Sequence, residues 1–174
     1  MKPMIERATA ILHRLRLARR GPAALEFALV FPVFITFVGM IMENGMLLVD
    51  QAFLDFATAD AGRLIRTGQV QLSSGETGFQ NQLCADVTPL ISCSSLQFNV
   101  QSAANPGFGS LNASVAANTY GNLSDTAFSP GGPGDDVMVQ VAYKRNYLFG
   151  WVSANTMSLV YSTTTFQNEK YTGP

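Results

Sequence analysis

The sequence predicts an α+β protein in which one long N-terminal helix packs on a small antiparallel sheet. Three observations support this prediction: an apolar run near the start, a helical spacing of apolar residues after it, and alternating strands in the C-terminal half. We divide the chain into a basic leader (1–21), a transmembrane helix (22–42), an amphipathic continuation of that helix (43–67) and an α+β domain (68–174).

The basic residues of the chain are concentrated in the leader. Residues 1–21 hold six basic residues and one acidic residue, a net charge of +5, whereas residues 22–174 hold five basic and eleven acidic residues, a net charge of −6. A nucleic-acid-binding protein spreads its basic residues over a folded surface, so we predict no nucleic-acid partner. A basic block beside an apolar run is typical of the cytoplasmic flank of a membrane helix. The six basic residues are Lys2, Arg7, Arg14, Arg16, Arg19 and Arg20.

The apolar run Pro22–Met42 contains a single charged residue, Glu26. As a helix it spans ~31 Å, about the thickness of the hydrocarbon core of a bilayer. A run of large apolar residues as long as this favours a transmembrane helix over a buried helix of a soluble core. No small-x-small cleavage site follows Met42, which argues against a cleaved secretory signal. Pro32 is expected to kink the helix. Glu26 is either an interfacial residue near the cytoplasmic end or a functional acid that needs a named partner.

Beyond the apolar run, the pattern predicts that the helix continues to residue 67 and stops at Gly68. One helical face is predicted to pack on the globular part, since such a stripe is more often core than a ligand groove. Its apolar residues are Met46, Val49, Phe53, Phe56 and Leu64.

The C-terminal part predicts one short helix and three strands. Glu76–Val87 has apolar residues every four positions and is predicted to be helical. Leu96–Val100, Asp136–Tyr143 and Met157–Phe166 alternate or are rich in β-branched and aromatic residues, which predicts antiparallel strands. The stretch 103–135 is rich in Gly, Ser, Asn and Pro and is predicted to be a long loop with a surface for contacts.

The two cysteines, Cys84 and Cys93, are separated by eight residues. This spacing, without a second pair or a nearby His, is poor for a zinc site. If this part lies outside the cytoplasm, a local disulfide is favoured over two free thiols.

The sequence favours a structural role over an enzymatic one. The only histidine, His13, lies in the leader, and no Gly-rich loop precedes a helix in the manner of a phosphate-binding motif. Asp135 and Asp136 lack the twelve-residue ligand loop of a common calcium site. We therefore predict no catalytic residue, no metal and no cofactor.

The junction between leader and helix, Arg19–Val30 (RRGPAALEFALV), resembles the start of TadE-like pseudopilins of the tight-adherence (Flp-type) pilus machinery. In that family a basic leader ends in a glycine. Four residues after the glycine come a glutamate and an aromatic residue, at the start of a long apolar helix; here these two residues are Glu26 and Phe27. The segment Asp60–Gln69 (DAGRLIRTGQ) and the pair of cysteines are also similar to the family.

The resemblance implies that a prepilin peptidase cuts between Gly21 and Pro22. Glu26 then becomes the fifth residue of the mature chain and, with Phe27 beside it, forms an assembly site in which the carboxylate pairs with the new N-terminus of a neighbouring subunit. The resemblance also implies a pilin-like fold and a bacterial inner-membrane location, with the N-terminus in the cytoplasm and the C-terminal domain in the periplasm. Its implied partners are the membrane, the peptidase, other pilins and pseudopilins, and the pilus assembly platform.

We thus predict a minor pseudopilin that takes part in assembling a tight-adherence pilus or a related secretion apparatus. Pro22 departs from the family pattern, because it makes the bond to be cut a tertiary amide without an N–H. The alternative is therefore kept open: an uncleaved signal-anchor protein whose periplasmic domain binds a ligand or a cell-wall component.

Overall fold

The computed structural model describes residues 21–88, 90–111, 123, 126–148 and 157–172. Residues 1–20 of the leader, and with them His13, lie outside the described residues. The chain divides into two compact units, one ending at Met42 and one beginning at Glu43. We call the second one, residues 43–174, the head unit.

Helix α1 runs from Gly21 to Arg66, a stretch of 46 residues that joins the predicted transmembrane helix and its predicted continuation. It ends where the sequence predicts: Gly68 has a φ of +79°, a left-handed conformation that glycine adopts easily, and its N–H donates to the carbonyl of Ile65 at 3.0 Å. Arg63 and Arg66 lie in the last turn, where positive charge is favourable at the negative end of the helix dipole.

A short π-helical turn, Val70–Ser74, leads from α1 into helix α2, Gly75–Val87. The four-residue spacing predicted a helix over nearly the same range. The apolar residues that gave this spacing, Phe79, Leu83 and Val87, are fully buried, so α2 lies on the core through the side that the pattern indicated.

Three antiparallel strands follow: β1 (Leu96–Ala103), β2 (Asp136–Asn146) and β3 (Met157–Gln167), in the order β1-β2-β3. Val100 of β1 lies opposite Val139 of β2, which in turn lies opposite Thr164 of β3. The predicted α+β class, a long helix followed by a small antiparallel sheet, is confirmed.

The core of the head unit lies between one sheet face and the two helices. Each large apolar side chain that is fully buried there contributes roughly 1.5–3 kcal/mol of favourable transfer from water. Three phenylalanines, Phe79, Phe98 and Phe128, form a triangle with ring centroids 5.4 to 6.2 Å apart. The other main contributors are Leu54, Ala57, Ala61 and Ile65 of α1, Leu83 of α2, and Val100, Val137, Val139 and Val141 of the sheet.

The predicted packing stripe of α1 is wrong. Met46, Val49, Phe53 and Phe56 are 40 to 63% exposed, and Leu64 alone of the predicted five is partly buried. The face that packs is instead built largely from small residues, because they let the helix backbone approach the sheet. Gly62 illustrates this fit, since a Cβ added there would lie 3.1 Å from the ring of Phe166.

The predicted long loop contributes to the sheet. Val100 pairs in parallel with Phe128: the N–H of Val100 donates to Ala127 and the N–H of Ser129 donates to Val100, at 2.8 and 2.9 Å. The neighbouring N–H of Ala127 donates to the side chain of Asn99, which is fully buried. Part of the stretch 103–135 is therefore an ordered flank of β1.

The second face of β2 is also buried. Met138, Gln140 and Ala142 are at most 6% exposed, although their alternation with the valines predicted a face opposite the core.

Candidate functional site

The residues that the resemblance marks for processing and assembly lie in the first two turns of α1. The helix begins at Gly21, and Pro22 is its second residue, where a missing N–H leaves no intrahelical hydrogen bond unmade. Glu26 follows Pro22 by four residues, one helical turn, and both are exposed. The exposed ring of Phe27 packs against Phe31 with 5.2 Å between centroids. The roles of these residues in cleavage and assembly stay predictions.

The N-terminal part of α1 presents large apolar side chains to its surroundings on all sides. It is long and apolar enough to cross a membrane. Such a surface is unfavourable in water and indicates lipid or other apolar helices as its natural environment. The large apolar residues that are at least 42% exposed between residues 25 and 42 are Leu25, Phe27, Leu29, Val30, Phe31, Val33, Phe34, Ile35, Phe37, Met40, Ile41 and Met42.

The helix continues through Pro32. Proline lacks the N–H that would bond the carbonyl of Ala28, so one backbone acceptor is left without its helical donor. One turn later the hydroxyl of Thr36 donates to the carbonyl of Pro32 at 2.7 Å. This hydrogen bond gives the hydroxyl of Thr36 a partner within the apolar segment.

The head unit contains a buried charged cluster, formed by Glu43, Asp50 and Arg145, which we call the Arg145 cluster. The guanidinium of Arg145 donates to the carboxylate of Asp50, and its Nε lies 3.7 Å from Oε1 of Glu43. The three side chains are only 7 to 12% exposed. The backbone N–H of Leu148 donates to Oε2 of Glu43 at 3.0 Å. One arginine at the end of β2 thus ties the strand to two carboxylates on α1.

The Arg145 cluster was missed by sequence reasoning. Glu43 and Asp50 are seven residues apart, two helical turns, on the same side of α1 as Leu54 and Ala57. Two acidic residues in register with a buried face are a signal that the sequence does contain. The partner Arg145 could not be assigned in this way, because the distance in sequence is 95 residues and depends on where β2 ends.

A cavity of about 560 Å³ opens beside the cluster. Met46 lies in its wall, and its sulfur is 3.4 Å from a guanidinium nitrogen of Arg145. Leu90 and Leu148, which are 49% and 61% exposed, also line it. The remaining lining residues are Val49, Asp50, Ser95, Tyr143, Lys144, Arg145 and Asn146.

Cys84 of α2 and Cys93, just before β1, form a disulfide with 5.2 Å between their Cα atoms. This is the pairing that the sequence favoured for a domain outside the cytoplasm. It closes the connection between α2 and β1 and fixes the end of the helix beside the start of the sheet.

A polar contact joins α2 to α1 near the disulfide. The amide of Gln82 donates to Asp60 at 2.9 Å and to both carboxylate oxygens of Asp86 at 3.2 Å. Burial raises the pKa of Asp86 above its ordinary value; the hydrogen bond from Gln82 lowers it, and the nearby charge of Asp60 raises it. Protonation of Asp86 is therefore favoured by folding.

The carboxylates of Asp135 and Asp136 accept hydrogen bonds from nearby groups of the fold. Asp136 is fully buried and accepts hydrogen bonds from the side chain of Asn105 and the N–H of Gly107, at 2.9 and 2.7 Å. Asp135 accepts the N–H of Gly132 at 2.7 Å. Among the residues that the structure describes, no group of three or more His, Cys, Asp or Glu side chains is arranged to hold a metal ion.

Comparison with known protein families gives a match in the first part of the chain. Residues 21–63 match the family model described as TadE-like protein, which confirms the resemblance seen at the leader–helix junction. The matched segment covers most of α1, including Glu26, Glu43 and Asp50, and stops before α2 and the sheet. No curated protein and no solved structure matched the chain.

Proposed function

We propose that this chain, whose residues 21–63 are TadE-like, is a minor pseudopilin that a prepilin peptidase processes and that takes part in assembling a tight-adherence pilus or a related secretion apparatus. The observation that carries the proposal is the coincidence of the family match with an exposed apolar helix that starts at Gly21 and contains Glu26 as its single charge before Glu43. The proposed role is structural rather than enzymatic.

Glu26 is the residue that gives the apolar helix a specific partner. A carboxylate in a low-dielectric environment is unfavourable unless a positive group or hydrogen-bond donors approach it. Cleavage after Gly21 would create such a group, the α-amino group of Pro22. Because Glu26 is exposed on its own helix, we propose that it pairs with the N-terminus of a neighbouring subunit and so sets the axial position of the two helices.

The charge distribution supports the proposed location. A leader with a net charge of +5 favours a cytoplasmic N-terminus, which would place the head unit in the periplasm of a bacterial inner-membrane protein. The Cys84–Cys93 disulfide agrees with this location, because disulfides persist in oxidising compartments.

Processing is tested at Gly21 with a matched glycine as the control. Gly21→Leu and Gly45→Leu both alter a glycine of α1, and nothing lies within 4 Å of a Cβ added at Gly45. Intact-mass measurement of membrane-extracted protein should show the wild type and the Gly45→Leu variant starting at Pro22, and the Gly21→Leu variant uncut. A wild-type chain that still carries Met1 when expressed with its own peptidase would contradict the processing claim.

One feature favours a second candidate, an uncleaved signal-anchor protein with a ligand- or cell-wall-binding domain: Pro22 directly after the predicted cleavage site. The cavity beside the Arg145 cluster is where such a domain would offer a binding site. This candidate predicts that the wild type and the Gly21→Leu variant are both uncut and that the substitution leaves the pili on the cells unchanged.

A further inference from the structure

Two side-chain amides from distant parts of the chain are anchored on one turn, residues 130–135, which we call the glycine turn. The amide nitrogen of Asn168 donates to the carbonyls of Pro130 and Gly132 at 2.9 and 3.0 Å. The amide nitrogen of Gln71 donates to the same Pro130 carbonyl at 3.0 Å. Because a carbonyl oxygen accepts only from a donor, these contacts fix the nitrogen of each amide toward the turn and leave its oxygen for another partner.

Three buried oxygen atoms of the head unit have no hydrogen-bond partner among the residues that the structure describes. They are the amide oxygens of Gln71 and Asn168 and the hydroxyl oxygen of Tyr171. Asn168 is only 3% exposed, so bulk water does not solvate its amide. Buried polar atoms are normally hydrogen-bonded, and an unbonded one indicates an ordered water or an ion.

A carboxylate and the hydroxyl of Tyr171 belong to the same region. The carboxylate of Asp135 accepts the N–H of Gly132 inside the glycine turn at 2.7 Å, and the N–H of Asn168 donates to the carbonyl of Asp135 at 2.8 Å. Burial raises the pKa of the Tyr171 hydroxyl and the charge of Asp135 raises it further, so the two side chains lie within electrostatic reach of each other. We call Gln71, Asp135, Asn168 and Tyr171 the oxygen cluster.

The negative charge at the oxygen cluster is not neutralised by any described basic residue. Asp135 and the adjacent Asp136 accept hydrogen bonds from neutral groups. Within the described ranges, the ion pairs of the head unit are made by Arg66 and Arg145 with other carboxylates. Asp136 is fully buried. Because a carboxylate removed from water is stabilised by a cation, this region favours a bound positive ion.

The donor atoms of the oxygen cluster select the type of ion. Ca²⁺ takes about six to eight oxygen ligands from carboxylates, side-chain amides and water, in a flexible geometry. Mg²⁺ demands a near-ideal octahedron, and Zn²⁺ is bound mostly by nitrogen and sulfur. Oxygen ligands contributed by three separate segments of the chain therefore suit calcium better than either of the other two ions.

We propose that the oxygen cluster binds one calcium ion through the carboxylate of Asp135 and the two amide oxygens, with the hydroxyl of Tyr171 holding a water of the ion. The sequence predicted no metal because Asp135 and Asp136 lack a twelve-residue ligand loop, whereas these ligands are brought together only by the fold. A single carboxylate ligand gives weak binding, with an expected dissociation constant of about 10⁻⁴ to 10⁻³ M, as in extracellular calcium modules. The proposal concerns the head unit alone and does not depend on the proposed function.

The first test is the thermal midpoint of the full-length protein in detergent, followed by circular dichroism in EGTA and in calcium or magnesium chloride. At about ten times the dissociation constant, calcium is expected to raise the midpoint by roughly 3–6 °C, because it binds the folded state only. Magnesium at the same concentration should have little effect. No rise with calcium would leave ordered water as the partner of these oxygens and would overturn the proposal, as would an equal rise with magnesium.

Asp135→Asn tests the site, and Asp55→Asn, at an exposed acidic position of α1, is its control. The new amide oxygen still accepts the N–H of Gly132, so the midpoint in EGTA should be no lower than that of the wild type. The rise with calcium should fall to about a third or less, as for a tenfold weaker site, and should stay complete in the control. A midpoint lowered equally with and without calcium would indicate a structural role alone, and an undiminished rise would place the ion elsewhere; either result overturns the proposal.

Terbium, which replaces calcium at oxygen sites and emits when a neighbouring aromatic ring is excited, tests the position of the ion. We expect terbium emission with the wild type, competition by calcium, and loss of most of the emission in Tyr171→Phe. The phenylalanine keeps the ring close to Gly68, where an added Cβ would lie 2.6 Å from the ring of Tyr171. Emission that is undiminished in Tyr171→Phe would contradict the position assigned to the ion.

Discussion

Arg145 is paired with two carboxylates in a largely buried part of the head unit. Its guanidinium is paired with carboxylates that lie two helical turns apart, and the three side chains are 7 to 12% exposed. Charges removed from water in this way are stable only while each has its partner, because the loss of one leaves the others desolvated and uncompensated. The cluster therefore fixes where the end of β2 sits along α1.

We predict that Arg145→Met lowers the free energy of unfolding by about 3–5 kcal/mol, because it leaves Glu43 and Asp50 buried without their cation. The control is Arg66→Met, which removes the salt bridge to Glu169. Those side chains are 50% and 57% exposed, so the expected loss is at most about 1 kcal/mol. Thermal unfolding of both variants in detergent, followed by circular dichroism, provides the comparison.

A second set of substitutions tests the reason for this loss. If uncompensated carboxylates cause it, adding Glu43→Gln and Asp50→Asn to Arg145→Met should recover part of the stability. A triple variant that is less stable than Arg145→Met alone would show that the carboxylates stabilise the fold through contacts other than this ion pairing.

Asp86 makes stability depend on pH in an unusual direction for a carboxylate. Its pKa is raised by burial, so the folded protein binds this proton more tightly than the unfolded chain. The resulting destabilisation is absent at pH values well below 3.8, the ordinary pKa, and complete above the raised pKa of the folded state. Asp86→Asn should therefore raise the thermal midpoint at pH 7 and have less effect at pH 3.

The effect of simply removing a surface charge is measured with Asp55→Asn, at an exposed position of α1. A gain for Asp86→Asn at pH 7 that does not exceed that of Asp55→Asn would contradict the assignment to burial.

At the scale of elements, α1 has two apolar sides in its second half and packs with only one of them. Leu54, Ala57, Ala61 and Ile65 form the packed side and are fully buried. The exposed side carries larger residues, among them Phe56, which is 63% exposed. Size and hydrophobicity alone therefore point to the wrong side of this helix.

Substitution of two neighbouring residues distinguishes the sides. Leu54→Ala removes buried methyl groups and leaves a cavity, with an expected loss of about 2–5 kcal/mol. Phe56→Ala removes a mostly exposed ring and should change stability by at most about 0.5 kcal/mol. Chemical denaturation in the same detergent gives both values. A larger loss at position 56 than at 54 would mean that the packed side of α1 has been misassigned.

How far the sequence predicts this fold can be judged element by element. The C-terminal end of α1 follows from Gly68, and the range of α2 follows from the spacing of Phe79, Leu83 and Val87. The starts of all three strands follow from the alternating or β-branched pattern of their residues. The strands are longer than predicted because β1 and β2 continue into polar residues that pair through their backbones, a contact that depends on the neighbouring strand and not on side-chain pattern.

The least predictable contacts are those between residues far apart in sequence. The disulfide was favoured because the spacing of its cysteines is poor for a zinc site and because this part of the chain was predicted to lie outside the cytoplasm. The pairing of Arg145 with Glu43, and of Val100 with Phe128, depends on tertiary packing that no local pattern encodes. The site residues Gly21, Pro22, Glu26 and Phe27 came from resemblance at the leader–helix junction rather than from physical reasoning about position.

At the scale of the whole molecule, the proposed function requires that the leader and the head unit lie on opposite sides of a membrane. The positive charge lies in residues 1–21 and the excess negative charge in residues 22–174. Insertion is oriented mainly by basic residues within about 15–20 residues of the end of a transmembrane segment, so the leader arginines should set the orientation. The Cys84–Cys93 pair can report the result, because disulfides persist in oxidising compartments and are rare in the reducing cytoplasm.

We predict that replacing the leader arginines by serine inverts a substantial fraction of the chains. Inverted chains would keep both thiols reduced, so alkylation with a polyethylene-glycol maleimide without a reductant should shift their gel mobility by two additions, whereas wild-type chains stay unshifted. The control replaces Arg63 and Arg66, which are more than 20 residues from Met42 and should leave orientation unchanged. Alkaline phosphatase fused after residue 174 gives an independent measure, since it is active only in the periplasm. Full phosphatase activity with oxidised cysteines in the leader variant would show that the basic block does not orient the chain. The residues replaced in the leader are Arg14, Arg16, Arg19 and Arg20.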